Sequence, residues 1–167
     1  MRILGIDPGL RISGYGCIQQ TTPTSKPKLI EAGILRFNPK DSTEARIHQI
    51  HQSLTELIQE LKPTHLAVEK LYSHYNHPRT AILMAHARGV ILLAATQAQL
   101  PIRHLPATEV KKSLTGNGHA TKAQMQNAIA SLFNLPEPPS PPDVADALAI
   151  ALCAATRIAL GSPQAAS

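Results

Sequence analysis

Three apolar runs in this chain end or open on carboxylates, and that pattern constrains the fold more than any other feature. Asp7 ends Ile3-Leu4-Gly5-Ile6, and Glu69 ends His65-Leu66-Ala67-Val68. Asp143 and Asp146 open Asp143-Val144-Ala145-Asp146-Ala147-Leu148-Ala149-Ile150-Ala151. A carboxylate at the end of a core strand, or on the inner face of a buried helix, loses hydration and must be paired or bind metal. The chain has only 11 acidic residues, and four of them share this context. Carboxylates brought together repel, so one takes up a proton or a cation sits between them. The pattern reads as a divalent-metal site built from Asp7, Glu69, Asp143 and Asp146.

The punctuation between the runs predicts an α/β chain with a mixed sheet flanked by helices. Arg2 to Asp7 reads as a buried strand closed by Pro8-Gly9, with two further strands over Gly14–Thr21 and Leu29–Phe37. Asp41 and Glu44 match a capping box ahead of a helix whose apolar face runs from Ile47 to Leu61, where Pro63 stops it. Thr64–Glu69 is the next strand. A loop over Leu71–Pro78 leads to a helix over Arg79–Gln99, a last strand over Leu100–Leu105 and a short helix over Thr108–Leu114. Thr121 and Gln124 form a second capping box. A Pro-rich link leads to a last helix capped by Ser140, with Pro141 at its first position and its end near Leu160. One domain over 1–160 is expected, with residues 161–167 as a disordered tail. Acids at the carboxyl ends of two neighbouring strands meet where ligands gather in such sheets.

Composition sets the class of partner. A formal charge of +5 and a pI near 9.5 favour a polyanion. Cys17 and Cys153 have no CxxC-type neighbour, so zinc spacing is absent and a reduced, cytoplasmic protein is expected. The N-terminus reaches Asp7 before a signal-peptide apolar region could form. The longest uncharged apolar stretch, Val90 to Ala95, is too short for a bilayer, so no membrane association is expected.

Each acid has a structural alternative when taken singly. Asp7 can shape the Pro8-Gly9 turn, Glu69 can pair with Lys70 or Arg88, and Asp143 can complete a cap favoured by the helix dipole. Asp146 fits that alternative poorly, because three residues after Asp143 it faces the same way among Ala and Leu. Lys122 sits in the first turn of its helix, where the dipole disfavours a cation and a bound phosphate would relieve the conflict.

Several motifs together carry a resemblance. Gly5-Ile6-Asp7-Pro8-Gly9 with Gly14-Tyr15-Gly16, then Val68-Glu69, then Ala87-Arg88-Gly89-Val90, then Asp143-Val144-Ala145-Asp146-Ala147-Leu148-Ala149, follow in an order and spacing that resemble the RuvC family of Holliday-junction resolvases. The likeness spans about residues 1–158. It implies an RNase H-like fold with a five-stranded sheet, and a homodimer that cuts four-way DNA junctions in recombination and repair. It also implies a metal-binding tetrad of Asp7, Glu69, Asp143 and Asp146. Two Mg²⁺ ions, or Mn²⁺ in their place, would lie about 3.5–4 Å apart at a scissile phosphate. The products would carry 5′-phosphate and 3′-hydroxyl ends.

By the same resemblance Lys111 and Lys122 contact DNA near the cut, Lys122 with a catalytic part, and Lys112 adds a basic neighbour. Tyr72 stands where the family usually has Phe and would stack on an unpaired base, with Asn76 and Arg79 contacting the backbone nearby. Branch-migration proteins of the RuvA and RuvB kind are candidate partners. The almost all-round apolar helix near Ile82 to Ala95 would supply the dimer seam. Ile6-Asp7-Pro8-Gly9 before Gly14 is also similar to the first phosphate loop of actin and sugar-kinase ATPases. Those proteins need a second glycine-rich phosphate loop, which this chain lacks.

Overall fold

β1 (Arg2–Asp7) is the central strand, and every residue from Ile3 to Ile6 is buried. The computed structural model describes residues 1–71 and 78–161, the side chains of 78 and 79 excepted. After β1 come β2 (Ile12–Gln19), β3 (Lys28–Arg36), α1 (Thr43–Leu61), β4 (His65–Glu69), α2 (Pro78–Gln97), β5 (Ile102–Leu105), α3 (Ala107–Thr115), α4 (Lys122–Phe133) and α5 (Pro142–Ala159). The strands form one sheet in the order β3-β2-β1-β4-β5. β1 pairs antiparallel with β2, as β2 does with β3, whereas β1, β4 and β5 are parallel. This is the mixed five-stranded sheet that the sequence predicts.

Alternation along the strands divides the core in two. Leu4, Ile6, Leu66 and Val68 pack with Ile50, Leu54 and Ile91, the buried residues of α1 and α2. Ile3 and Ala67 pack on the other face with Val110, Met125 and the apolar side of α5. Period two therefore carries Asp7 to the face of Ile3, and Glu69 to the face of Ala67. Both acids are directed toward α5. The pairing Ile6↔Val68 sets the two strand ends level.

Boundaries differ from the sequence reading in several places, among them β2, which runs Ile12–Gln19 rather than Gly14–Thr21, and three ends whose cause is visible. The N-cap of α1 is Ser42, whose side chain accepts from Ala45 N at 3.2 Å. Asp41 instead accepts from Asn38 and Gln49. Either residue type caps well, so the sequence alone left the pair one residue ambiguous. α5 starts at Pro142, with Pro141 in the cap position and no side-chain cap from Ser140. The residue before a proline is pushed out of the helical region, and Pro141 precedes Pro142. Its ψ of 171° is extended accordingly. β5 starts at Ile102, because Leu100 N still bonds Ala95 O at the end of α2. The capping box at Thr121 and Gln124 forms as predicted.

By length and composition alone, residues Thr80–Gln97 of α2 are apolar enough to cross a membrane. The reading by uninterrupted runs missed this because His86 and Arg88 break the run without changing its average. Arg88 is turned inward, with bonds to Glu69 O and His104. The tail from 162 and the segment holding Tyr72 and Asn76 lie outside the described residues, as does the side chain of Arg79.

Candidate active site

Asp7, Glu69, Asp143 and Asp146 line one cavity of about 770 Å³. β1 and β4 deliver the first two at their carboxyl ends. α5 delivers the other two from its first turns, three residues apart on one face. Glycines allow the helix to come close enough: a Cβ on Gly14 would stand 2.1 Å from the Asp143 carbonyl oxygen, and one on Gly5 would stand 2.2 Å from that of Ala147.

Electrostatics show the strain of this assembly. Burial pushes Asp7 from 3.8 up to about 8, with Asp146, Glu69 and Asp143 adding to the rise and Lys122 opposing it. Glu69 is raised, first by burial and then by Asp146, while Lys111 pulls it down. Asp146 is raised by burial and by Asp143, with Lys122 and Lys111 acting the other way. One carboxyl thus holds a proton at neutral pH, which is the state that the clustering of acids predicts when no cation intervenes.

Lys111 and Lys122 both line the cavity. Lys122 is the first residue of α4, behind the Thr121 cap. Lys112 is exposed and lies outside the cavity lining, since one residue along a helix turns the side chain by about 100°. Arg88 answers the pairing expected for Glu69 in a different way. Its Nε donates to the main-chain oxygen of Glu69 at 3.1 Å, and its Nη2 donates to His104 Nδ1 at 2.7 Å. Burial, with Arg88 and Lys70 nearby, holds His104 below the usual imidazole range, so that nitrogen accepts. Arg88 therefore fixes the end of β4 without neutralising the carboxylate.

Arg11 and Arg46 also line the cavity, and the sequence reading had passed over both. The signal was present for Arg46. It lies in the first turn of α1, the same unfavourable place for a cation that drew attention to Lys122.

The oxygen-only donor set fits a hard divalent cation. As placed, no three His, Cys, Asp or Glu side chains among the described residues come close enough to hold one ion together.

Comparison with known proteins places the chain in a family. Residues 3–154 match the family model described as crossover junction endodeoxyribonuclease RuvC. The RuvC of Rhodopirellula baltica is 48% identical over 151 residues, covering 90% of this chain and 84% of that protein. The RuvC of Desulforamulus reducens is 42% identical, covering 92% of each. Thermus thermophilus RuvC, solved in complex with a Holliday junction substrate, superposes with a TM-score of 0.89 at 30% identity, covering 98% of both chains. The yeast mitochondrial Holliday junction resolvase shares the fold, with a TM-score of 0.66 at 13% identity. The RNase H-like arrangement expected from the sequence is therefore present, and this chain belongs to the RuvC family of crossover junction endodeoxyribonucleases, which are metal-dependent nucleases.

Proposed function

We propose that this chain is a structure-selective endonuclease that resolves four-way DNA junctions by paired, symmetric, metal-dependent nicks, in homologous recombination and DNA repair. The observation that carries this is four carboxylates converging on one cavity in a chain of this family. The relative solved on a Holliday junction supports the choice of substrate. The chain's similar relatives are bacterial proteins, and a chain acting on a bacterial chromosome would work in the cytoplasm.

Asp7, Glu69, Asp143 and Asp146 would hold two Mg²⁺ ions per subunit, with Mn²⁺ as a substitute. When bound, such a pair supplies activation of a water for in-line attack and stabilisation of the departing 3′ oxygen. The chain's own part is to hold the acids in register and the phosphate between them. β1 and β4 fix Asp7 and Glu69 as neighbours, and α5 sets Asp143 and Asp146 across from them. Lys111 and Lys122 attract the phosphate and offset the excess negative charge of the acids. Cleavage on the 3′-oxygen side leaves 5′-phosphate and 3′-hydroxyl ends.

Lys122 would act on the transition state more than on binding. Lys122→Ala should lower the single-turnover cleavage rate by about a hundredfold. Junction affinity should fall only about threefold, as for one lost phosphate contact. Equal losses in rate and affinity would leave Lys122 as a binding contact alone. Tyr72 would stack on a base exposed at the opened junction, a contact worth about 1–3 kcal/mol. Asn76, Arg79 and Lys112 would contact the backbone.

A homodimer would use α2. Ile82, Ala85, His86, Gly89 and Leu93 form one exposed stripe on it, with open space beyond Gly89. Two such helices crossing on a two-fold axis would set two active sites on opposed strands. Branch-migration proteins of the RuvA and RuvB kind would be the further partners. The direct test is a synthetic four-way junction against a matched linear duplex, with and without Mg²⁺. Symmetric nicks on the junction alone, only with metal, are expected. Equal cutting of the duplex would reject the structure-selective reading.

A further inference from the structure

We infer that Arg11 and Arg46 form a second anion-binding bank of the catalytic cavity, which takes the DNA backbone phosphate next to the one being cut. The inference rests on the functional reading above and adds a binding site to it. Among the described residues, four acids and four cations line the cavity, and the cations divide into two pairs. Lys111 and Lys122 come from α3 and α4, on the α5 side of the sheet, and both lower the pKa of acids in the site. Arg46 comes from α1, on the opposite side of the sheet, and Arg11 from the turn that follows Asp7. Neither arginine is among the charges acting on Asp7, Glu69 or Asp146.

Their own bonding is incomplete. Arg46 Nη1 donates to Leu10 O at 3.4 Å, a long bond that uses one of five guanidinium donors. Arg46 Nε is buried with no partner among the described residues. A buried donor left unpaired is costly, and the first turn of α1 adds an unfavourable dipole. Among the described residues neither arginine has an ion-pair partner. A phosphate would satisfy these donors together, because the guanidinium fork matches phosphate oxygens in a bidentate way. A strand whose scissile phosphate sits over the acids runs on past them, with the lysines on one side and the arginines on the other.

The test is junction binding by the full chain in EDTA, where no cutting occurs, measured across KCl concentrations. Arg11→Ala and Arg46→Ala together should reduce the slope of log Kd against log salt by about one, the value of one phosphate contact, and each alone by part of it. Lys26→Ala, in an exposed loop outside the cavity lining, should leave the slope unchanged. Arg46→Lys should restore most of the slope, which counts charge, while its affinity stays below that of the wild type because an ammonium lacks the guanidinium fork. A methylphosphonate in place of the flanking phosphate should weaken the wild type, weaken Arg46→Ala less, and leave a chain carrying both Arg11→Ala and Arg46→Ala unaffected.

If Arg46 served only to hold the Leu10 carbonyl, its removal would instead shift the Mg²⁺ concentration for half-maximal cleavage at constant salt slope. That result, with an unchanged slope for Arg11→Ala, overturns the inference while leaving the nuclease reading intact. A wild-type chain that binds no junction overturns both.

Discussion

Asp7→Asn should lower junction cleavage at least about a thousandfold and, without divalent ions, make the protein more stable at neutral pH than the wild type. Both effects have one cause. Burial and three neighbouring acids raise Asp7 from 3.8 to about 8. The folded state therefore holds a proton between about pH 4 and pH 8 that the unfolded state has released. The stabilising share of this group is complete below pH 4 and is lost as pH rises through that window. Asparagine has nearly the same shape and no charge, so it has no such slope. In urea titrations with EDTA, the gap between variant and wild type should widen from pH 5 to pH 8 by on the order of 2 kcal/mol, discounted for partial exposure. Added Mg²⁺ should reverse the order by stabilising the wild type through binding. Parallel pH profiles for the two proteins would show that Asp7 is not the group under repulsion.

The same physics explains why the site was so legible in the sequence. An acid that ends an apolar strand run is costly wherever the strand lands, so Asp7 and Glu69 marked themselves before any topology was known. Parity did the rest, since period two assigns each to a face. Asp143 and Asp146 were legible as a pair because helical spacing alone keeps them together. Lys122 stood out by its conflict with the helix dipole. What stayed hidden depends on contacts between distant segments. Arg46 reaches the cavity only because α1 packs beneath the turn after β1. Arg88 reads as a partner for a carboxylate, yet it bonds the main chain of Glu69. α2 is apolar nearly all round, so its pattern cannot say which face the sheet covers and which stripe is left for a second copy.

Gly14→Ala should be severely damaging although it removes no functional group. β2 places Gly14 opposite Asp7, and α5 crosses directly over it. A new Cβ would lie 2.1 Å from the Asp143 carbonyl oxygen and 2.6 Å from its carbonyl carbon. Both are backbone atoms of the first turn of α5, so no side-chain rotation relieves the overlap. Close-packed interiors transmit such a displacement rather than absorb it. The first turn of the helix must lift by roughly 1 Å to restore ordinary contact, and overpacking of this kind costs about 1–3 kcal/mol. The lift carries Asp143 away from Asp7, and a misplacement of about 1 Å at a reacting centre costs roughly a hundredfold in rate. Gly16→Ala is the informative comparison, because its Cβ would meet the Leu148 side chain at 2.7 Å. Leu148 is buried and its backbone N would stand at 3.0 Å, so the core must give here too. The contact is looser than at Gly14, however, and lies further along α5 than the acids. Gly16→Ala should therefore lose stability while keeping most of its cleavage. Loss of rate in Gly14→Ala beyond that of an equally destabilised Gly16→Ala would identify the close approach of α5 as what sets the acids. Equal rates at equal stability would mean that α5 adjusts and that the metal ions alone gather the carboxylates.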